Sequence, residues 1–130
     1  MKAAYPIVIT QEKDVKLVYV PDFDINTQGE DMADAIDMAR DAIGIVGITM
    51  EDDGEALPSP SRMEDIHPEE GMVTLVDIDF SAYRAENDMK AVKKNCTIPS
   101  WLNVRAEKAG INFSATLQAA LKKELHITGR

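Results

Sequence analysis

The residues best suited to chemistry are aspartates that occur in pairs with one residue between them. Asp22 and Asp24 lie on either side of an aromatic residue, and Asp77 and Asp79 lie on either side of an isoleucine. Because alternate side chains of a strand point to the same face of a sheet, both carboxylates of such a pair share one face. Carboxylates on adjacent strands can hold Mg²⁺, so one hypothesis is a metal-dependent nuclease that uses Asp77 and Asp79.

Chance alone also predicts such pairs, because residues 1–82 contain 19 acidic side chains. His67 and His126 have no cysteine or second histidine at the spacing of metal ligands, and Cys96 has no histidine nearby that would activate it. The chain contains neither a glycine-rich phosphate loop nor a nucleophile elbow. We therefore expect no enzyme activity, no bound metal and no cofactor, and the nuclease stays as the alternative hypothesis.

Charge is distributed unevenly along the chain. The formal net charge of the 130 residues is −9. Residues 1–82 contain five basic and 19 acidic side chains and sum to −14, whereas residues 83–130 contain nine basic and four acidic side chains and sum to +5. An acidic surface attracts basic proteins, and polyanions such as DNA bind to positive surfaces. Unless both surfaces are merely solvated, the two parts have partners of opposite charge.

Composition also limits where the protein works. No apolar run approaches the ~18 residues that a membrane span requires, and the first residues lack the apolar region of a signal peptide. A single cysteine excludes an internal disulfide framework. We therefore expect a cytoplasmic protein that makes no contact with a membrane.

The N-terminal part is predicted to fold in the order β-β-α-β. Residues 5–10 and 16–20 are rich in β-branched and aromatic side chains, and the short connection between them predicts an antiparallel hairpin. Residues 22–29 contain several turn formers and predict a loop. Residues 72–80 alternate in polarity and predict the third strand.

One long helix is predicted between the second and third strands. Asp31 is placed to cap it, because an aspartate side chain can accept a hydrogen bond from the first helical turn. Apolar residues recur every three or four positions and form one face, and the helix is expected to fray toward Gly44 and Gly47. The opposite face carries Asp34, Asp37 and Asp41.

Residues 90–130 are too few to bury a core of their own without a metal or a disulfide. They are therefore expected to pack on the N-terminal part or, as their pattern favours, on a second copy of the chain. That pattern is a short alternating strand over residues 92–98, followed by two helices separated by Gly110. Ser100 is the predicted N-cap of the first helix, and Asn112 is the predicted N-cap of the second.

This strand-helix-helix pattern resembles the ribbon-helix-helix fold. In that family the single strands of two chains pair into an antiparallel ribbon that enters the major groove of DNA. The resemblance implies a homodimer, or a higher oligomer built from it, with Lys93, Asn95 and Thr97 facing the bases. It also implies that the start of the second helix binds a DNA phosphate through free backbone N–H groups. The residues at that helix start are Asn112, Phe113 and Ser114.

Motifs spread over nearly the full length of the chain resemble the HicB-type antitoxins. In chain order they are Tyr5-Pro6, Val20-Pro21-Asp22, Thr27-Gln28-Gly29, Pro58-Ser59-Pro60-Ser61, Ile98-Pro99-Ser100-Trp101-Leu102 and Ile111-Asn112-Phe113-Ser114-Ala115-Thr116-Leu117. Their order and spacing together are more specific than any single motif. One departure is the first turn, where Lys13-Asp14 stands in place of the glycine that many members carry.

The resemblance implies an α+β fold with three parts. These are a degraded ribonuclease-H-like domain in residues 1–82, a linker or short helix in residues 83–91, and a ribbon-helix-helix domain in residues 92–130. It also implies an antitoxin that binds and neutralises a small basic mRNA-cleaving toxin of the HicA type. As a dimer, the antitoxin would repress its own operon by binding double-stranded operator DNA. Candidates for toxin contact are Asp22, Phe23, Asp24, Asp34, Asp37 and Asp41.

Overall fold

The computed structural model describes residues 1–128, which form two compact units. Unit 1 comprises residues 1–90, and unit 2 begins at Ala91. Gly129 and Arg130, the end of the predicted ribbon-helix-helix domain, lie outside the described residues. Within the described chain, no helix combines the length and the hydropathy that crossing a membrane requires.

Unit 1 is built on a four-stranded antiparallel sheet. Its strands are β1 (Lys2–Glu12), β2 (Val15–Val20), β3 (Ile25–Gly29) and β4 (Met72–Asp79), and their order across the sheet is β3-β2-β1-β4. Val8 in the central strand lies opposite Tyr19 on one side and Val73 on the other. The predicted α+β class and the predicted hairpin of the first two strands are confirmed.

The segment predicted as a loop, residues 22–29, contains the third strand. Asp24 closes the preceding turn with a φ of 52°, and β3 then pairs antiparallel with β2. Its five residues include an asparagine, a glutamine and a glycine, so their composition does not predict a strand. The remaining signal was the alternation of partly buried Ile25 and Thr27 with exposed Asn26 and Gln28.

The long helix α1 (Met32–Asp52) covers one face of the sheet. Its predicted N-cap is confirmed, because the Asp31 carboxylate accepts a hydrogen bond from the backbone N–H of Asp34 at 2.8 Å. Buried side chains from helix and sheet form one core and make unit 1 self-contained. They are Tyr5, Ile7, Ile9, Val18, Val20, Ala35, Ala39, Ile43, Val76, Ile78 and Phe80.

Gly44 and Gly47 lie inside α1, and the expected fraying of the helix at these positions was wrong. A Cβ added to Gly47 would lie 2.3 Å from the Phe80 ring, and one added to Gly44 would lie 2.6 Å from the Tyr83 ring. Both rings belong to α2 (Phe80–Glu86), the short helix that follows β4. The two glycines therefore mark where α2 packs closely on α1.

Unit 2 contains the two predicted helices, α3 (Ser100–Lys108) and α4 (Phe113–Glu124). Ser100 is the first residue of α3, and Pro99 takes the N-cap position that the sequence analysis gave to Ser100. The left-handed residue expected after the first helix is confirmed, because Gly110 has a φ of 69°.

The strand predicted over residues 92–98 is not formed in the single chain, where residues 88–99 are neither helix nor strand. A physical reason lies in the prediction itself. A lone strand has no neighbour for its ladder hydrogen bonds, and the expected neighbour was the same strand of a second chain.

Candidate functional site

The turn between β2 and β3 carries the first group of predicted contact residues. The Asp22 carboxylate accepts hydrogen bonds from the Ser61 hydroxyl and, at 2.9 Å, from the Ser61 backbone N–H. The Phe23 ring packs edge-on against the Tyr5 ring, with 4.8 Å between the ring centroids. Asp22 and Phe23 therefore serve the fold of unit 1, because they hold the Ser61 segment and the turn against the sheet.

Asp24 is exposed at the same turn and accepts a hydrogen bond from the Tyr19 hydroxyl at 2.9 Å. This hydrogen bond, together with desolvation and the negative charge of Asp24, raises the pKa of Tyr19 above its usual value of 10. Tyr19 is thus a neutral donor at physiological pH. Its ring lies on the face of the sheet opposite α1, because the neighbouring Val18 and Val20 point into the core.

The predicted aspartates of α1 also have partners within unit 1. Asp34 accepts a hydrogen bond from the backbone just before the helix at 2.8 Å. Asp37 forms an ion pair with Arg40 at 3.0 Å, and Asp41 accepts a hydrogen bond from the Tyr83 hydroxyl at 2.7 Å. Their contacts stabilise the helix and its packing, and the Arg40 guanidinium offsets the charge of Asp37.

Asp77 and Asp79, the candidates for metal chemistry, share the outward face of β4 as predicted. The Arg40 guanidinium donates hydrogen bonds to the Asp77 carboxylate at 3.1 Å and to its backbone carbonyl at 2.8 Å, and it lowers the pKa of Asp77. Asp79 caps α2 by accepting from the backbone N–H groups of Ser81 and Ala82. Across the described residues, no three histidine, cysteine or acidic side chains are grouped to hold a metal.

A second set of acidic side chains, which sequence reasoning missed, has no ion-pair or hydrogen-bond partner among the described side chains. They lie where β1 ends, β2 begins, β3 ends and β4 begins, and the antiparallel register brings these points to one end of the sheet. We call this group the acidic end. Its members are Glu12, Asp14, Glu30, Glu69 and Glu70.

The face of the sheet opposite α1, which we call the open face, is apolar at its centre. It comprises Pro6, Val8, Leu17, Tyr19, Val73 and Leu75. Tyr19 is 37% exposed and Leu75 is 47% exposed. A shallow groove of about 500 Å³ runs along this face between Val8, Leu17 and Tyr19 and the polar side chains of Asn26 and Gln28.

The predicted DNA-facing residues lie in unit 2. Lys93, Asn95 and Thr97 are exposed in the segment without regular structure, so the single chain gives them no common face. Asn112 is confirmed as the N-cap of α4, because its side chain accepts a hydrogen bond from the backbone N–H of Ala115 at 3.0 Å. The other N–H groups of that first turn have no intrahelical acceptor.

Within the described part of unit 2, no side chain is buried. Large apolar side chains are exposed along the segment and both helices, which is unusual for a folded unit in water. They include Val92, Ile98, Trp101, Leu102, Val104, Ile111, Phe113, Leu117, Leu121, Leu125 and Ile127.

Comparison with known proteins identifies the family of this chain. A family model for antitoxins of bacterial toxin–antitoxin systems matches residues 5–120. That family is the HicB-like antitoxins, and the chain belongs to it. No curated protein matches the chain significantly.

Solved structures agree with the family. A chain of a toxin–antitoxin complex from Streptococcus pneumoniae has 24% identity and a TM-score of 0.60, over 95% of this chain and 99% of that one, and so shares the fold. The antitoxin HicB of Burkholderia pseudomallei has 25% identity and a TM-score of 0.53, over 95% of this chain and 96% of that one. A complex of the toxin HicA3 and the antitoxin HicB3 contributes a chain with 26% identity and a TM-score of 0.52, over 59% of this chain and 99% of that one.

Proposed function

We propose that this antitoxin binds and neutralises a small basic mRNA-cleaving toxin of the HicA type through unit 1. We also propose that it represses its own operon by binding operator DNA through unit 2 as a homodimer. Family membership and the similarity to a chain of the HicA3–HicB3 complex support the toxin partner.

The charges of the two units support partners of opposite sign. Unit 1 contains seven basic and 21 acidic residues, a net charge of −14, and unit 2 contains seven basic and two acidic residues, a net charge of +5. An acidic surface speeds association with a basic RNA-binding protein and competes with RNA phosphates for its positive surface. Unit 1, which we propose to be a degraded ribonuclease-H-like domain, would thus inhibit the toxin by covering its RNA-binding surface.

The main support for the proposed homodimer is that no side chain is buried in the described part of unit 2. A second copy would cover the apolar side chains of α3 and α4 and supply the missing partner for a strand over residues 92–98. In the resulting ribbon, Lys93, Asn95 and Thr97 would point to one face and reach the bases of the major groove. The start of α4 would then bind a phosphate.

The nuclease alternative gains no support from the structure. Asp77 is paired with Arg40, and Asp79 is occupied as the cap of α2. It predicts cleavage of nucleic acid that requires Mg²⁺ and is lost in Asp77→Asn, so purified protein without such cleavage removes it.

Two variants of the predicted strand should weaken operator binding without affecting toxin binding. Lys93→Ala and Asn95→Ala should each weaken operator binding by about tenfold or more, because a direct base contact contributes about 1–3 kcal/mol. Lys108→Ala, which removes the same charge as Lys93→Ala from the end of α3, should have a smaller effect. All three variants should bind the toxin like the wild type in a co-purification assay. Loss of toxin binding with the fold intact, or operator binding unchanged in both strand variants, would contradict the proposal.

A further inference from the structure

We propose that the toxin docks on the open face of the sheet, with its basic residues turned toward the acidic end, and not on the acidic outer face of α1. This inference rests on the proposed function, because it assigns the surface of unit 1 that the toxin covers. The partner it fits is a basic protein with an apolar contact surface.

Strand β1 is apolar toward both faces of the sheet. Residues 5–9 of β1 are all apolar: Tyr5, Ile7 and Ile9 join the core under α1, and Pro6 and Val8 are already buried within the single chain. Such a continuous apolar run is typical of strands that are buried on both faces, whereas a solvated face alternates with polar side chains. Pro6 and Val8 point away from α1.

The neighbours of Pro6 and Val8 continue this apolar surface. Pro6 lies opposite Leu75, and Val8 lies between Tyr19 and Val73. Leu75 and Tyr19 keep a large exposed area, so the open face offers an apolar centre of the kind that protein interfaces bury. Asn26 and Gln28 beside the groove add exposed amides that can bond to a partner.

Charge complementarity selects a basic occupant. The five carboxylates of the acidic end have no partner among the described side chains, and they outnumber Lys13 and Lys16 at the same end, so this end stays negatively charged. The aspartates of α1 have internal partners, including Arg40 and the Tyr83 hydroxyl. A negatively charged end of the sheet beside the open face can therefore attract and orient the basic residues of a docked protein.

Hydroxyl-radical footprinting of the wild-type protein tests the docking surface without any substitution. The full-length protein is oxidised alone and in complex with a purified toxin of the HicA type. Tyr19 and Leu75 report on the open face, whereas Met38, 40% exposed, and Ile45, 51% exposed, report on the outer face of α1. We expect oxidation of Tyr19 and Leu75 to fall at least threefold in the complex, and oxidation of Met38 and Ile45 to stay unchanged.

Each other result overturns a distinct statement. Protection of Met38 and Ile45 in place of Tyr19 and Leu75 would show docking on α1, which refutes this inference and leaves the proposed function standing. Protection of Tyr19 and Leu75 in the free protein that grows with its concentration would assign the open face to a second copy. Absence of any complex between the wild-type protein and the toxin would refute the proposed function itself.

Matched variants give a second, quantitative test by titration calorimetry. Leu75→Lys places a charge on the open face and should weaken toxin binding at least tenfold, whereas Ile45→Lys makes the same change on α1 and should leave it within twofold. Circular dichroism checks that both variants fold. Equal binding by two folded variants would refute the inference.

Charge reversal tests the acidic end separately. Glu69→Lys combined with Glu70→Lys should slow association with the toxin at least tenfold at low salt, because electrostatic steering accelerates encounter by 10–10³. The control combines Asp53→Lys with Glu55→Lys, which changes the net charge equally at the far end of α1. Equal slowing by both double variants would mean that only the total charge of unit 1 matters, contrary to the inference.

Discussion

Unit 1 buries a complete core, whereas the described part of unit 2 buries nothing. In unit 1 a helix covers one face of a sheet, and eleven buried side chains, one of them from α2, form a single core. In unit 2 two capped helices form by local rules while their apolar side chains stay exposed. Regular secondary structure alone therefore does not make a unit stable, because tertiary burial supplies most of the stability of short helices.

The same comparison separates the two partners. Unit 1 has a core of its own and a preformed acidic surface, so the proposed toxin binding should need no second antitoxin chain. Under the proposed function, unit 2 needs a second chain before a DNA-binding ribbon can form. The account therefore predicts that dimerisation and operator binding are lost together, while toxin binding survives.

A charge in the proposed dimer core of unit 2 should have the largest effect and leave unit 1 unchanged. Leu121→Asp puts a charge into the proposed dimer core, where it is costly because no partner compensates it. We expect the dimer dissociation constant to rise at least a hundredfold and operator binding to be lost. Ala119→Asp, on the opposite side of α4, is the control. Light scattering after gel filtration measures the mass, and a Leu121→Asp protein that stays dimeric would contradict the comparison.

The next largest effect is a loss of stability in unit 1 alone. Ile43→Ala removes a fully buried side chain from the core and should cost about 2–5 kcal/mol of stability, whatever the protein concentration. The chain has one tryptophan, Trp101 in α3, so its fluorescence reports on unit 2. Urea unfolding should shift when the sheet is followed by circular dichroism and stay in place when Trp101 is followed. Coincident shifts of both signals would show that the units unfold as one.

Local chemistry explains what the sequence predicted well. The caps at Asp31 and Asn112 and the left-handed Gly110 depend on a few neighbouring atoms, so residue type and spacing were sufficient. The first two strands were found because their side chains are bulky and their connection is short.

Tertiary contacts explain what the sequence could not give. The polar strand β3 exists because β2 offers it a ladder partner, and Gly44 and Gly47 were mistaken for helix ends because the rings above them come from α2. The same limit applies to the predicted toxin-contact residues. Composition cannot distinguish Asp41, which bonds to Tyr83, from Glu69, which has no partner among the described side chains.

The smallest effect is expected from acidic pH, which should reduce the stability of unit 1 through the titration of Asp79. Hydrogen bonds from the backbone N–H groups of Ala82 and Ser81, with the nearby N-terminal charge, lower the pKa of Asp79 below its usual 3.8, against an opposing desolvation effect. The stability that Asp79 contributes is therefore present above about pH 4 and lost as the pH falls through the lower folded pKa.

Asp79→Asn keeps a capping side chain but removes this titration, so its melting temperature should fall less than that of the wild type between pH 7 and pH 3. The circular dichroism melt of unit 1 should show the difference, and the Trp101 signal of unit 2 should not. Asp53→Asn serves as the control. Identical acid profiles for wild type and Asp79→Asn would contradict the assignment.

We propose that the exposed apolar side chains of unit 2 become buried only when two copies of the chain associate. Sedimentation equilibrium of the full-length wild-type protein at micromolar concentration, without toxin or DNA, tests it most directly. The account predicts a species of twice the 14.3 kDa chain mass, or a multiple of that dimer. A single species with the mass of one chain would contradict it.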